Sequence, residues 1–222
     1  MRFLALATDY DGTLATDGAV DPETLAALRR LAATGRTLIL VTGRQLNDLL
    51  RVFPDARIFD AVVAENGAVV YRPATGATRV LAPPPPADFV ETLQRRRVEP
   101  LWRGQVVVAT VQPNDTAVVE VIRELGLDLQ VILNKGSVMV LPASVDKASG
   151  LRAALAELAL APERVVAIGD AENDQAFLGT CGYGVAVANA LDSLKATTAH
   201  VTRGEAGAGV REIIDWLITT DA

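Results

Sequence analysis

The stretch Phe3-Leu4-Ala5-Leu6-Ala7-Thr8-Asp9-Tyr10-Asp11-Gly12-Thr13 decides how the chain is read. Phe3 to Thr8 form an apolar run of strand length close to the N-terminus, and Gly12-Thr13 read as a sharp exit from that strand. Two carboxylates therefore stand at a strand's C-terminal end. Side chains alternate along a strand, so Asp9 and Asp11 are expected to point the same way and to lie close together. Like charges at that range repel and call for a cation or a shared proton. Taken alone, an Asp-x-Asp-Gly also describes a polar turn capping a strand, so the weight of the reading rests on what the rest of the chain brings to it.

Downstream, Asp21-Pro22-Glu23 reads as a helix start, with Asp as N-cap and Pro at the first helical position, and Leu25, Leu28 and Ala32 on one face. After Gly35, Thr37-Leu38-Ile39-Leu40-Val41 is a second buried strand, apolar on both faces as in a parallel sheet covered by helices. It runs into Thr42-Gly43-Arg44, after which Leu46, Leu49, Leu50 and Phe53 recur at helical spacing. Ala61-Val62-Val63-Ala64 is a third strand, and Asn66-Gly67 a hairpin-type turn into Val69-Val70-Tyr71. Four successive prolines, Pro83 to Pro86, then mark a change of grammar. Helix (Phe89, Val90, Leu93), strand (106–111), helix (Val118, Val121, Ile122, Leu125) and two strands around Asn134-Lys135-Gly136 make a small α+β unit of about sixty residues, too small to be comfortable alone.

At Pro142 the first grammar resumes. Asp146 caps a helix carrying Leu151, Ala154, Leu155 and Leu158. Val165-Val166-Ala167-Ile168 is a strand ending in Gly169-Asp170-Ala171-Glu172-Asn173-Asp174. Further strands follow at 184–187 and 200–202, and a last helix carries Val210, Ile213, Ile214 and Leu217. The expected architecture is an α/β fold: a doubly wound parallel sheet formed by 1–82 and 143–222, interrupted by an inserted α+β cap at 83–142, with its ligand at the C-terminal ends of the strands where chain order reverses.

Composition narrows the function. Half of the 222 residues are hydrophobic and 5% aromatic, which is ordinary soluble α/β material. A net charge of −6 argues against a nucleic-acid or anionic-membrane binder, since either wants a basic face. Cys181 is alone, so no intrachain disulfide forms and a reducing compartment is the simpler expectation. No stretch reaches the apolar length of a membrane span, and a cytoplasmic protein, monomer or homodimer, is expected.

Four stretches fall at strand or helix ends where such a fold places its site: Asp9-x-Asp11, Thr42-Gly43-Arg44, Lys147, and Asp170 with Asn173 and Asp174. The carboxylates at adjacent strand tips are too much negative charge unless a hard divalent cation shares it, and Mg²⁺ fits; Asn173 or Asp174 would also serve as a simple helix cap. Thr42-Gly43-Arg44 opens a helix whose free N–H groups suit a phosphate, although taken without the other motifs a Thr N-cap is the simpler account of it. Lys147 in the first turn of a helix opposes the helix dipole, the kind of local rule that function overrides.

These four motifs, in this order and spacing, resemble those of the haloacid dehalogenase superfamily of phosphohydrolases. The insertion resembles the type 2 cap of its Cof-like and phosphoglycolate or sucrose phosphatase-like branch; Glu65-Asn66-Gly67-Ala68 and Val187-Ala188-Asn189-Ala190 resemble that branch more loosely. The resemblance implies a Mg²⁺-dependent phosphatase of a small phosphorylated metabolite. Asp9 would be the nucleophile, Asp11 the acid and base, Thr42 and Gly43 phosphate ligands, and Lys147 a neutralising charge. Asp9, the Asp11 carbonyl, Asp170 and Asp174 would hold Mg²⁺. Arg44, Asn173 and, from the cap, Trp102, Arg103 and Lys135 are candidates to reach the substrate. A phosphomutase of the same superfamily, or a non-catalytic phosphate-binding or receiver module, are the rival readings. Arg95-Arg96-Arg97 reads as a solvated helix face, His200 as structural, and Gly204, Gly207 and Gly209 as a flexible lead into the last helix.

Overall fold

A computed structural model describes residues 1–220. The strands are β1 (Ala5–Asp9), β2 (Thr37–Val41), β3 (Ala61–Ala64), β4 (Val69–Arg72), β5 (Ala77–Val80), β6 (Trp102–Arg103), β7 (Val108–Val111), β8 (Leu129–Asn134), β9 (Ser137–Pro142), β10 (Val165–Gly169), β11 (Tyr183–Ala186) and β12 (His200–Val201). The helices are α1 (Pro22–Ala32), α2 (Leu46–Val52), α3 (Ala87–Arg95), α4 (Asp115–Glu124), α5 (Lys147–Glu157), α6 (Gln175–Thr180), α7 (Asp192–Lys195) and α8 (Ala206–Thr220). Among the described residues no helix is long and apolar enough to cross a membrane.

Eight strands form one sheet in the order β12-β11-β10-β1-β2-β3-β4-β5, parallel from β12 to β3 and antiparallel at β4 and β5. The chain leaves β1 toward β2 on one side and later returns to β10 on the other, so order reverses between β1 and β10. Every residue of β1, β3 and β10 is buried, as expected for strands covered on both faces. The α/β class and the parallel sheet are as the alternating pattern implies. Two edge strands have no apolar signature: β5 is exposed throughout and β6 has only two residues, so neither showed in the sequence.

The second sheet, β6-β7-β9-β8, is antiparallel throughout. Its β9 strand serves two cores by simple alternation. Val138 and Val140 join Phe89, Val90 and Leu93 of α3 and Val118 and Val121 of α4 in a cluster of their own, whereas Met139 and Leu141 join the main core. One face of this sheet is thus covered by its helices and the other looks toward the first sheet.

Helix starts follow their caps. The Asp21 carboxylate accepts from the Thr24 N–H at 2.8 Å ahead of Pro22, and Asp146 and Ser149 close a reciprocal capping box on α5. The buried face of α1 is Thr24, Ala27, Leu28 and Leu31, rotated from the expected Leu25/Leu28/Ala32 stripe. The rotation brings Thr24 under α8, where the Arg211 guanidinium donates to its hydroxyl at 2.8 Å. Gly207 and Gly209 lie within α8 and give close packing, not flexibility: a Cβ on Gly207 would sit 2.5 Å from the Thr24 hydroxyl.

Two contacts give tests. Helix α5 meets the turn between β3 and β4 so closely that a Cβ on Gly150 would lie 2.4 Å from the Gly67 Cα and 2.6 Å from its carbonyl oxygen. Both are backbone atoms and cannot swing aside. Ala is the better helix former by about 1 kcal/mol, yet overpacking costs about 1–3 kcal/mol and decides the sign: Gly150→Ala is expected to lower the melting temperature by about 2–4 °C per kcal/mol lost, measured by calorimetry. Cys181, partly buried against the main core, has its thiol pushed up to about 12 by burial, with nearby Arg152 offsetting only part of this. At pH 8 the native thiol is therefore expected to react with a disulfide reagent at least about a hundredfold more slowly than the unfolded chain, because the thiolate is the reactive form.

Candidate active site

Asp9 is the last residue of β1, and Asp170 follows the last residue of the neighbouring β10, so their carboxylates meet at the strand ends where chain order reverses. Asp174 joins them through a local device. Its Oδ2 accepts from the N–H groups of Asp170 at 2.8 Å and Ala171 at 2.9 Å, which folds the 170–174 loop back on itself. Gly169 makes this fold possible, since a Cβ there would lie 2.6 Å from the Asp174 Cβ. Asp9, Asp170 and Asp174 are all buried and each offers an oxygen within 4.8 Å of the others. Such an all-oxygen set suits a hard divalent cation.

The Lys147 ammonium is enclosed among these groups. It donates to Asp9 Oδ1 and Asp174 Oδ1, each at 2.6 Å, with its side chain 2% exposed. Burial alone would discharge it, but the two carboxylates hold its pKa above the ordinary lysine value. Asp9 is pulled both ways: burial raises it, Lys147 opposes the rise, Asp174 and Asp170 reinforce it, and together they leave it at about 8.

Asp11 departs from the expected geometry. The strand ends at Asp9, Gly12 takes a φ of +90°, and the Asp11 carboxylate turns to Arg44, which donates to both its oxygens at 2.7 Å. The alternation of a strand does not extend to a residue beyond it, so Asp9 and Asp11 do not stack as a carboxylate pair. Arg44 also reaches Asp48 at 2.9 Å and lies over the Tyr10 ring, 5.3 Å from its centre. The Asp11 carbonyl instead faces the aspartate cluster: Lys135 donates to it at 2.9 Å and to Asp170 Oδ2 at 2.8 Å. The Thr13 hydroxyl donates to Asp170 Oδ1 at 2.9 Å.

Thr42 and Gly43 lie in the β2–α2 loop and not in the helix, which begins at Leu46 behind an N-cap at Gln45. The Thr42 hydroxyl accepts from the Arg44 N–H at 3.1 Å, and the Gly43 N–H meets no acceptor among the described residues. The helix-opening reading is therefore corrected; what the loop presents is one amide and one hydroxyl. Asn173 donates to the Asn66 side-chain oxygen at 3.0 Å, and its own Oδ1 is buried without a partner.

A cavity of about 600 Å³ opens in front of Asp9, bounded by Asp11, Gly43, Arg44 and Asp48 on one side and by Trp102, Val107, Ala109, Thr110, Lys135 and Met139 on the other. The structure brings Trp102 and Lys135 to this cavity. Arg103, one residue along the short β6, is exposed and is not part of its lining.

His200 stacks on Tyr183 and faces Glu212, and Arg96 pairs with Glu120 and Glu124, both away from the cavity. Three contributors were undervalued in the sequence. Thr13 orients Asp170, Asn189 donates to the Gly12 carbonyl at 2.7 Å and steadies the turn after Asp11, and Glu65 binds the loop at 104–107. Their only signal was membership of the quoted motifs.

The comparisons with known proteins agree with this geometry. A family model for haloacid dehalogenase-like hydrolases matches residues 6–117 and 120–214. A phosphoglycolate phosphatase of Methanothermobacter thermautotrophicus is 31% identical over 95% of this chain and 96% of its own length. One of Haloarcula marismortui is 30% identical over 94% and 95%. The crystal structure of a haloacid dehalogenase-like hydrolase from Bacteroides thetaiotaomicron superposes with a TM-score of 0.82 at 19% identity, covering 97% of this chain and 99% of that one. With three carboxylates and a buried lysine at the switch point of such a sheet, the chain belongs to the haloacid dehalogenase-like hydrolase family, as a phosphatase of that superfamily.

Proposed function

We propose that this protein hydrolyses a short phosphorylated hydroxy acid of the phosphoglycolate kind, with Mg²⁺ and through a phosphoryl group carried on Asp9. The observation that carries the reading is the buried Asp9 carboxylate on the wall of the cavity, fixed by Lys147 and flanked by Asp170 and Asp174. The names of the relatives support the substrate class. So do the two cations that face the cavity, Arg44 and Lys135, since an ester with both a phosphate and a carboxylate needs positive charge at two places.

In the first step an Asp9 oxygen attacks phosphorus, the bond from phosphorus to the ester oxygen breaks, and Asp11 gives that oxygen a proton. Arg44 must release one Asp11 oxygen for this, because each oxygen accepts one guanidinium N–H and the one that carries the transferring proton must turn that proton to the ester oxygen. In the second step water attacks phosphorus, Asp11 takes its proton, and the bond to Asp9 breaks to free phosphate. Splitting the hydrolysis in two is covalent catalysis. The Gly43 amide and Thr42 hydroxyl bind phosphate oxygens, and Lys147 favours the charged form of Asp9 against its burial, a bias that the charge of a bound cation would complete. Asp9, the Asp11 carbonyl, Asp170 and Asp174 would hold Mg²⁺, whose charge neutralises nucleophile and phosphate together. Residues 83–142 act as a lid that carries Lys135 and Trp102 to the substrate and keeps water from the transfer.

Phosphate release from a panel of phosphorylated short acids, sugars and nucleotides tests the substrate class: the acids are expected to lead, activity to vanish with a chelator and to return with Mg²⁺. An equal ranking of sugars and acids would remove the carboxylate from the reading. Asp9→Asn should lower turnover of every substrate by at least about 10³-fold. Asp11→Asn should lower steady-state turnover by about 10²–10⁴-fold, yet still give a burst of nitrophenol from nitrophenyl phosphate, because that leaving group needs no proton. Mass spectrometry should then find the chain heavier by one phosphoryl group. Lys135→Ala should raise KM for a phosphorylated acid by about 10–100-fold, the size of one lost charged hydrogen bond, and change KM for nitrophenyl phosphate far less.

A further inference from the structure

Glu65 lies between β3 and β4, is 1% exposed and does not line the cavity. No lysine or arginine pairs with it among the described residues; backbone amides of the inserted unit bind it instead. Its Oε1 accepts from the Gln105 N–H at 2.9 Å, and its Oε2 from those of Val106 and Val107 at 2.8 and 2.9 Å. Three successive amides turned on one carboxylate form a concave anion seat. Gly104 completes the seat, since a Cβ there would lie 2.5 Å from both Glu65 oxygens.

The other end of the same segment is tied to the catalytic loops. The Glu65 N–H donates to the Arg44 carbonyl at 2.9 Å and the Asn66 N–H to that of Thr42 at 3.0 Å. The Asn66 side chain accepts from Asn173 at 3.0 Å and donates to the Met139 sulfur at 3.0 Å. Glu65 and Asn66 hold φ values of +53° and +51°, a conformation that side chains rarely adopt and that persists only when the surroundings enforce it. What these contacts enforce is a fixed distance between the phosphate-side loop, 42–44, and the opposite cavity wall, where Val107 and Met139 stand.

We propose that Glu65 is a positioning residue, a latch that seats loop 104–107 on the catalytic core and thereby sets the length of substrate the cavity accepts. The part of this inference that concerns substrate rests on the phosphatase reading; the latch itself does not. The carboxylate contributes no group to the reaction and acts only through the wall it holds.

Hydrogen exchange followed by mass spectrometry, with steady-state kinetics on the same preparations, tests both parts. Glu65→Gln keeps the volume but turns an amide NH₂ toward one of the three N–H donors. Exchange in the peptide spanning 102–109 is expected to quicken by roughly tenfold or more, as for one lost charged hydrogen bond, with β1 and β10 unchanged. The ratio of kcat/KM for a short phosphorylated acid to that for a longer phosphorylated sugar should fall by a similar factor, chiefly through KM. Gly104→Ala, which alters no ionisable group, should reproduce both effects and stands in if Glu65→Gln fails to fold. Unchanged exchange at 102–109 in both variants overturns the latch. Faster exchange with an unchanged substrate ratio overturns the claim on length. If the unsubstituted protein releases phosphate from none of the panel, the substrate reading fails while the exchange result still decides the latch.

Discussion

The ammonium of Lys147, closed between Asp9 and Asp174, is the contact on which the arrangement depends. Desolvating an ammonium costs several kcal/mol, and only short, well-aimed bonds to carboxylates that are themselves buried offset it. Both partners must therefore be delivered together. Asp9 comes on the end of β1, Asp174 on the folded loop after β10, and Lys147 on the first residue of α5, so three elements far apart in sequence are obliged to converge. A lysine at a helix N-terminus opposes the dipole. The Asp146–Ser149 capping box supplies negative charge and satisfied amides at the same turn, and the missing side chains of Gly67 and Gly150 let α5 come close enough to place the ammonium.

Charge balance at the site then explains why a net negative chain can handle a phosphate ester. Asp9, Asp11, Asp48, Asp170 and Asp174 face Arg44, Lys135 and Lys147, an excess of two carboxylates over cations. A phosphate dianion entering such a site is repelled unless a divalent cation removes that excess, which is how the proposed Mg²⁺ dependence arises from residues alone. Lys135 engages Asp170 Oδ2 and the Asp11 carbonyl, two of the oxygens assigned to the metal. Metal and substrate would thus free the lysine for the substrate's second anionic group.

The sequence disclosed whatever depends on position along a strand or helix. Asp9, Asp170 and Lys147 were legible because strand tips and helix starts carry turn residues, caps and apolar runs. What followed from side-chain direction was not. Asp11 lies two residues beyond the end of its strand, just before the +90° φ of Gly12; its pairing with Arg44 required knowing how β2 and its loop approach β1. The Thr42–Arg44 stretch looked like a helix start because the helix begins only a few residues later. Val106 and Val107 read as the start of a strand from their β-branched side chains, but Glu65 takes their amides and the strand begins at Val108. Long-range competition for backbone donors leaves no periodic trace. The same holds for Trp102 and Arg103, neighbours on a two-residue strand of which one reaches the cavity.

Alternation in the second sheet separates residues that line the cavity from those that build the helix-covered cluster. Along β7 and β9, Val108, Val138 and Val140 support the cluster with α3 and α4, whereas Ala109, Ser137 and Met139, on the intervening positions, line the cavity. A substitution at a lining position changes the shape or polarity seen by the substrate and leaves the helix-covered core unaltered, because neighbouring residues of a strand face opposite sides. The separation is incomplete, since Thr110 borders the cavity beside Ala109 and Met139 also belongs to the main core. Structures that share this fold at 19% identity keep the architecture with most residues changed. In this chain the alternate residues that look inward line the cavity, and the contact of Glu65 with the amides of 105–107 ties one of them, Val107, to the turn after β3.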